Sequence, residues 1–343
     1  LYIFHPDIIW NSVVALTDLA VAGFMFISCY YLWKYFQKEK KKHLVLWAVF
    51  FALAILSKST ALFVLPVYLL LFLLYKRFDY RFYLKAGSYL FFVSLLLFSL
   101  VNIADFDPIY DQNNPFYFQS EGSRSDARLY EIVGRFTDSA LLESMLVFGL
   151  RDLPVPGSAS IQAYASQFIH SVDGHAVYVL GEYTNHGVWY YYFLNYLIKT
   201  PLALLLFGLL SLILFSSLRA KDVKSELTLF LPIFVFLFIF SFVLGLNLGL
   251  RHTLLVLLCG IVFSSKVFQF KKYTTKVIPL LLSLLFVWYI LVSLWIAPSY
   301  LAYFNEAVGG PLNGPHYVID TSVDFGQDLV NVKPYLDANN ITH

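Results

Sequence analysis

The chain has 343 residues, of which 59% are hydrophobic and 13% are charged, and its formal net charge is +2. Soluble globular domains carry roughly twice that share of charged residues, so the composition excludes an ordinary soluble domain. The small net charge gives no indication of a nucleic-acid partner. Cys29 and Cys259 both lie in apolar runs, which argues against a disulfide framework and against a thiolate metal site.

Long apolar runs follow one another along the chain. Backbone polar groups in lipid need partners within their own segment, so each run is predicted to be a membrane helix. The fold class is therefore an all-α polytopic membrane protein with about eight transmembrane helices. The runs are Val13–Tyr31, Leu44–Leu56, Thr60–Leu74, Phe82–Val101, Pro201–Leu218, Leu227–Leu246, Thr253–Ser265 and Val277–Ala297.

Basic residues indicate the topology. Four short connections hold sixteen of the 24 Lys and Arg residues but only four of the 22 acidic residues. By the positive-inside rule these connections are expected to be cytoplasmic. Leu44–Leu74 is basic at both ends, so it is expected to cross twice, as two helices of roughly 13–15 residues that turn at Ser57-Lys58-Ser59. The sixteen residues are Lys34, Lys38, Lys40, Lys41, Lys42, Lys76, Arg77, Arg81, Lys85, Arg219, Lys221, Lys224, Lys266, Lys271, Lys272 and Lys276.

The same pattern predicts four parts and a large outer loop. We expect a membrane region at 1–102, an extracytoplasmic loop at 103–200, a second membrane region at 201–297 and the start of an extracytoplasmic segment at 298–343. The loop breaks at Pro154-Val155-Pro156-Gly157. Because the chain lacks an initiator Met, we interpret it as part of a longer protein. An amphipathic helix in the loop is predicted from the helical spacing of Leu129, Ile132, Val133, Phe136, Ala140 and Leu141.

Two basic sites stand at predicted outer helix ends. Lys58 lies at a recessed tip between short helices, where an ionisable residue is costly and usually functional. Its ammonium can hold a lipid-linked phosphate, and the alternative is a lysine that extends to the interface. Arg251 and His252 follow the flexible segment 245–249. Arginine can form a forked contact with phosphate, and the alternative is an interfacial anchor that closes a helix hairpin.

Acidic candidates lie on the same side. Asp18, about one turn into the first run, is either a helix cap or a buried site residue. Glu182 and His186 lie where the large loop returns to the membrane. The aromatic cluster at 189–192 that follows them is typical of a membrane belt.

The C-terminal segment carries a further acidic group. Paired carboxylates suit acid/base or metal chemistry, and local caps explain the same pattern. The sequence has no phosphate-binding loop, no dinucleotide fingerprint and no His/Cys metal spacing. We therefore predict no metal site. The residues of this group are Asp320, Asp324, Gln327 and Asp328, beside Gly326.

Several motifs occur in order along nearly the whole chain. Together they resemble the bacterial relatives of the dolichyl-phosphate-mannose protein mannosyltransferases and, more distantly, the aminoarabinose lipid A transferases. In that group Trp usually stands in place of Phe325, and Asn in place of Val323. The motifs are Ala15–Ala20, Leu56–Leu62, Leu180–Tyr183 with Trp189–Tyr191 and Lys199–Leu202, Leu248–His252, and Tyr300–Glu306 with Gly309–Pro311 and Asp324–Leu329.

The resemblance implies a GT-C fold and an inverting glycosyltransferase. Its donor would be a polyprenyl-phosphate sugar of the hexose type, with no certain cofactor, and its acceptor a protein, lipid or glycan. The protein would lie in the plasma (inner) membrane with an extracytoplasmic active site. The family's catalytic Asp is expected upstream of Leu1, so no catalytic residue is assigned. The substrate-binding candidates are Lys58, Arg251, His252, Asp18, Glu182 and Asp324.

Two other classes of function share these features. A transporter or lipid flippase would have similar helices and recessed charges, but it predicts inverted repeats and broken helices, and the sequence shows no internal repeat. A catalytically inactive subunit of an envelope-assembly complex is the second alternative, because the deciding Asp is outside this sequence.

Overall fold

The computed structural model describes residues 1–14, 16–109, 134, 137, 139–151, 153–164, 176–218, 222–245, 247–269, 277–319, 323–326 and 329–341. Helices dominate this part of the chain, which confirms the all-α polytopic fold class. Leu129, Ile132, Val133 and Phe136 of the predicted amphipathic helix lie outside the described residues. The division of the chain into four parts stays a prediction.

Thirteen α-helices are labelled here in chain order. A 3₁₀ segment, Ser59–Val64, leads into α4, and a π segment, Ile239–Val243, extends α10. Further 3₁₀ turns, Leu250–Thr253 and Ser265–Gln269, flank α11. The helices are α1 (Pro6–Val13), α2 (Asp18–Lys38), α3 (Lys41–Ser57), α4 (Leu65–Lys76), α5 (Tyr80–Val101), α6 (Ala140–Arg151), α7 (Tyr191–Lys199), α8 (Leu202–Ile213), α9 (Phe215–Leu218), α10 (Val223–Phe238), α11 (Leu254–Ser264), α12 (Val277–Trp295) and α13 (Leu329–Ala338).

Six continuous helices in the described residues are long and apolar enough to span a membrane, and the α7–α8 pair, bent by 108°, raises the number to seven. The remaining predicted span corresponds to α3, which has 17 residues and a length of about 25 Å at 1.5 Å per residue. The count of eight therefore stays a prediction. The six are Asp18–Lys38, Ser59–Lys76, Tyr80–Val101, Val223–Val243, Leu250–Gln269 and Val277–Trp295.

The α2–α3 hairpin lies at the centre of the bundle. Leu32, Leu44 and Trp47 are fully buried between these helices and their neighbours. Ser28 Oγ donates to the Trp47 carbonyl at 3.0 Å and lies 2.6 Å from Tyr68 Oη. Small and hydroxyl-bearing residues allow close helix approach in lipid. α5 packs on α3, whereas α11 packs on α2, α8 and α10.

The outer helices present apolar side chains outward. In the most apolar 18 residues of each helix, only 6% of α5 and 22% of α12 are buried inside the bundle. Leu84 and Phe91 on α5, and Leu284 and Leu291 on α12, are more than half exposed. Such surfaces are stable in contact with lipid tails rather than water.

The described residues of the four basic connections lie at the same end of the bundle. Contacts link the second connection to the first, the third to the first and the fourth to the third. This arrangement agrees with a topology in which all four face one side of the membrane. The contacts are the Lys76–Glu39 ion pair, Gln37 Nε2 to Asp222 Oδ2 at 3.2 Å, and Lys266 Nζ to Glu226 Oε1 at 2.5 Å.

Two short antiparallel ribbons close the large loop. β1 (Phe106–Pro108) pairs with β2 (Pro154–Pro156), and β3 (Val177–Val179) pairs with β4 (Glu182–Thr184). The predicted Pro/Gly break is thus a strand, Pro154–Pro156, followed by Gly157, whose φ is +75°. Three-residue strands are too short to produce a periodic sequence signal, which explains why the sequence did not predict them.

The predicted Pro201–Leu218 span is interrupted at Leu214, and a bend of 108° between α7 and α8 lies at its start. Pro201 has no N–H to continue the helix, so carbonyls before it lack intrahelical partners. Asn305 supplies these partners from the C-terminal segment. Its side-chain amide donates to Leu197 O at 2.6 Å and to Thr200 O at 2.9 Å, and its backbone N–H donates to Ile198 O at 2.8 Å.

Candidate active site

Lys58 and Asp18 form a buried ion pair at the end of the bundle opposite the basic connections. Lys58 Nζ lies 2.7 Å from Asp18 Oδ1, and the side chains are 15% and 3% exposed. The two residues meet because α2 begins at Asp18 and the antiparallel α3 ends at Ser57. Thr17, the N-cap residue of α2, makes no side-chain capping bond. The structure thus shows an ion pair rather than a lysine that extends to the interface, and Asp18 also lies in the first turn of α2, where its charge favours the helix dipole.

The backbone at Lys58 explains its position. The residue is extended, with φ −166° and ψ 145°, between α3 and the 3₁₀ segment Ser59–Val64. This confirms the helix break predicted at Ser57-Lys58-Ser59. The helical segments on either side, Lys41–Ser57 and Ser59–Lys76, are 17 and 18 residues long. They are therefore longer than the sequence suggested.

The Arg251–His252 turn is fixed by the helix that re-enters the membrane after the large loop. Gly249 has φ +72°, a conformation that favours glycine. Its N–H donates to Tyr191 Oη at 2.8 Å. Tyr196 Oη donates to the Thr253 carbonyl at 2.6 Å. α7 therefore holds both sides of the turn and sets where Arg251 and His252 lie.

The aromatic residues before and within α7 divide into two groups. Trp189 is exposed and stacks on Phe242, as expected for a membrane belt. Tyr191 and Tyr192 are fully buried instead, so the belt interpretation is wrong for them. The backbone just before Trp189 is closely packed as well, because a Cβ on Gly187 would lie 2.7 Å from the Gly245 carbonyl oxygen.

Positive charge converges on His252. This residue is buried, and Lys58 and Arg251 both lie within electrostatic reach of its ring. The Arg251 guanidinium stacks over Phe325, 4.9 Å from the ring centroid. Within the described ranges no carboxylate forms an ion pair with Arg251. Since Asp18 balances Lys58, the group keeps one net positive charge, which can bind a phosphate oxygen.

A second polar cluster lies beside Arg251 and was missed by the sequence analysis. Asp7, Asn11, Lys199 and Arg251 line one narrow cleft together with Phe325. The cleft encloses about 300 Å³ including its open mouth. The only available signal was a motif containing Lys199 and an acid in the polar stretch before the first apolar run. Neither showed that the two regions meet.

Burial controls the ionisation of this cluster. Lys199 is 1% exposed, donates to the Leu301 carbonyl at 2.8 Å and lies over the Phe304 ring. Burial raises the pKa of Asp7 to about 6, although the Lys199 charge opposes the shift. Burial, with Lys199 as a second cause, lowers the pKa of His5 to about 3. His5 is therefore neutral near pH 7, and its Nδ1 accepts from the Asp7 N–H at 3.2 Å.

The remaining predicted residues are less central. Glu182 is exposed at the β3–β4 hairpin, and His186 is exposed just after it. No described contact brings either of them to Lys58 or Arg251. Asp324 is also exposed, and its Oδ1 accepts from the Gly326 N–H at 2.9 Å. Its neighbour Phe325 carries the contact with Arg251. Asp320, Gln327 and Asp328 lie outside the described residues.

The fold defines the class of protein as a multi-pass α-helical membrane protein with a charged site at one end of its bundle. A family model described as dolichyl-phosphate-mannose-protein mannosyltransferase matches residues 5–103. The match supports the interpretation that the protein is a relative of these enzymes and a membrane glycosyltransferase of the GT-C type. It contains Asp18 and Lys58 and ends well before Arg251. Comparisons with the curated proteins and with the solved structures gave no match.

Proposed function

We propose that the protein transfers a hexose-type sugar from a polyprenyl-phosphate donor to a hydroxyl of a protein, lipid or glycan acceptor. The reaction takes place at the bundle end opposite the basic connections, on the extracytoplasmic side of the plasma (inner) membrane. One observation carries the proposal. Lys58, which pairs with Asp18, and Arg251 come from distant parts of the chain, and both lie within electrostatic reach of the buried His252.

Charge explains what this group would do. In an inverting transfer, the acceptor oxygen attacks the anomeric carbon while the bond from that carbon to the phosphate oxygen breaks. The phosphate leaves with the electron pair, and the acceptor proton passes to a general base. Negative charge therefore grows on the leaving phosphate. A cation fixed beside it in a site of low dielectric stabilises that charge in the transition state.

Arg251 is a better candidate than Lys58 for the main contact with the phosphate. The sequence favoured Lys58, but its ammonium is already paired with Asp18 at 2.7 Å. Arg251 is held by an aromatic ring instead, which leaves its hydrogen-bond donors for a ligand. We therefore assign the main phosphate contact to Arg251. Lys58 adds charge and, through Asp18, positions the end of α2. Roles for Glu182 and Asp324 stay predictions.

The test is release of polyprenyl phosphate from a polyprenyl-phosphate hexose by the full-length protein in detergent, with native membranes as acceptor source. Loss of a donor of this kind costs roughly a hundredfold or more in rate. We expect Arg251→Gln to show that loss and Arg251→Lys to retain part of the rate, because charge survives without the planar fork. Lys41→Gln, at the opposite end of the bundle, is the control and should match the wild type.

Two results would contradict the proposal. The first is a wild-type release rate in Arg251→Gln at subsaturating donor. The second is movement of the substrate across the membrane of sealed vesicles with no transfer in detergent, which is the behaviour of a transporter. The 108° bend between α7 and α8 is the kind of broken helix that this alternative predicts. Transfer in detergent needs no closed compartment and separates the two functions.

A further inference from the structure

The narrow cleft beside Arg251 contains polar side chains that the proposed phosphate site does not use. Asp7 and Asn11 lie one turn apart on α1, and each is 4% exposed. Asn11 Nδ2 donates to the Asp7 carbonyl at 2.7 Å, which fixes its side chain along the helix. α1 also packs against the 3₁₀ turn that carries Arg251. The two polar side chains are thus built into the cleft wall.

Three buried atoms of these residues have unused hydrogen-bonding capacity. Asp7 Oδ2, Asn11 Oδ1 and Arg251 Nε lack hydrogen-bond partners within the part of the chain that the structure describes. His5 Nδ1 is 3.9 Å from Asp7 Oδ2, which is too long for a hydrogen bond. Leaving buried polar groups unsatisfied is costly. The residues that line the cleft thus carry two acceptors and one donor without partners in the described part of the chain.

This combination selects the chemistry of the ligand. A phosphate oxygen only accepts hydrogen bonds, so it cannot satisfy the two unpaired acceptors, Asp7 Oδ2 and Asn11 Oδ1. A hydroxyl group both donates and accepts. It can donate to Asp7 Oδ2 and accept from Arg251 Nε at once. The volume of about 300 Å³ includes the open mouth of the cleft, and its enclosed part has room for only about one water-sized group. That space admits a hydroxyl but excludes a whole sugar ring.

We propose that the Asp7–Asn11–Arg251 cleft is a hydroxyl-recognition subsite of the transferase, with Asp7 as the residue that holds the hydroxyl. The inference rests on the proposed function, because it takes a carbohydrate or alcohol hydroxyl as the ligand. Arg251 joins the subsite to the phosphate site, because it lines the cleft and its guanidinium has further N–H donors for the phosphate. The hydroxyl comes from the donor sugar or from the acceptor.

The experiment measures binding and transfer with one variant. Full-length wild type and Asp7→Asn in lipid nanodiscs are titrated with polyprenyl-phosphate mannose and with bare polyprenyl phosphate. Release of polyprenyl phosphate is then measured at saturating donor, with native membranes as acceptor. Asp7→Asn keeps the shape but removes the charge that strengthens the hydrogen bond, so a loss of roughly tenfold is expected. Asp337→Asn, the same substitution at an exposed position of α13, is the control.

The binding and transfer measurements distinguish the two sources of the hydroxyl. Weaker binding of the mannosylated carrier, with unchanged binding of the bare carrier, assigns the subsite to the donor sugar. Unchanged binding of both carriers, with slower transfer at saturating donor, assigns it to the acceptor. If Asp7→Asn changes neither quantity, the subsite is refuted. Asn11→Leu, which removes the second acceptor, should give the same pattern if Asp7→Asn fails to fold.

Failure of the proposed function looks different. If the wild type binds neither carrier, and Arg251→Gln does not alter release, the phosphate site itself is wrong. If the bare carrier binds and depends on Arg251, while Asp7→Asn alters neither binding of the mannosylated carrier nor transfer, the phosphate site stands and only the hydroxyl subsite falls.

Discussion

Removing the Lys58 charge should destabilise the folded protein, whether or not Lys58 takes part in the reaction. Lys58 is the only cation within ion-pair distance of Asp18 among the described residues. Lys58→Met keeps most of the side-chain length but leaves a carboxylate that is 3% exposed without a partner. Breaking one side of a buried pair costs roughly 3–5 kcal/mol. That corresponds to a factor of about a hundred to several thousand in the unfolding equilibrium.

The same reasoning predicts recovery when the second charge is also removed. The double variant Lys58→Met with Asp18→Asn should return to within about 1 kcal/mol of the wild type, because no uncompensated charge remains. Reversible unfolding by SDS in mixed micelles measures both values. The double variant also allows loss of transfer to be separated from loss of folding.

The chain offers a matched control for burial. Lys76 pairs with Glu39 in the first and second basic connections, where Glu39 is 66% exposed. Lys76→Met should therefore cost less than about 1 kcal/mol. Equal, small losses in Lys58→Met and Lys76→Met would show that Asp18 is accessible to water, and the argument from a buried pair would be wrong.

Three further predictions address topology, packing and pH. A cysteine at Lys40 should escape an impermeant reagent in intact cells, where the two native cysteines are buried; labelling would overturn the proposed orientation. Gly314→Ala should cost about 1–3 kcal/mol in unfolding measurements, because its Cβ would lie 2.1 Å from a Phe304 ring carbon. His5→Asn should reveal the titration of Asp7, whose pKa rises from 3.8 to about 6 on folding through burial. Between about pH 4 and 6, folded Asp7 holds a proton that the unfolded chain has lost. The melting temperature of His5→Asn should therefore fall as pH rises through this range. The wild type should be flatter, because the lowered pKa of His5 acts in the opposite direction; identical profiles would contradict this assignment.

The prediction of membrane helices succeeded because lipid imposes a local rule. Every backbone group must find a partner inside its segment, so an apolar run specifies a helix by itself. The break at Lys58 was also predictable, because basic flanks at both ends of Leu44–Leu74 require an even number of crossings. The Pro201–Leu218 run was predicted less well. The carbonyls at the bend where it begins are satisfied by Asn305, which is more than one hundred residues away.

The sequence by itself determined the class of the protein, the approximate helix positions and the residues whose charge is costly in a membrane. It did so because hydrophobic runs and charge counts are local properties. Only the tertiary structure decided which charges meet. Asp18 pairs with Lys58 across 40 positions, and Asp7 shares a cleft with Lys199 and Arg251. Those contacts depend on which helix ends pack together, and helix packing depends on side-chain fit over the whole bundle.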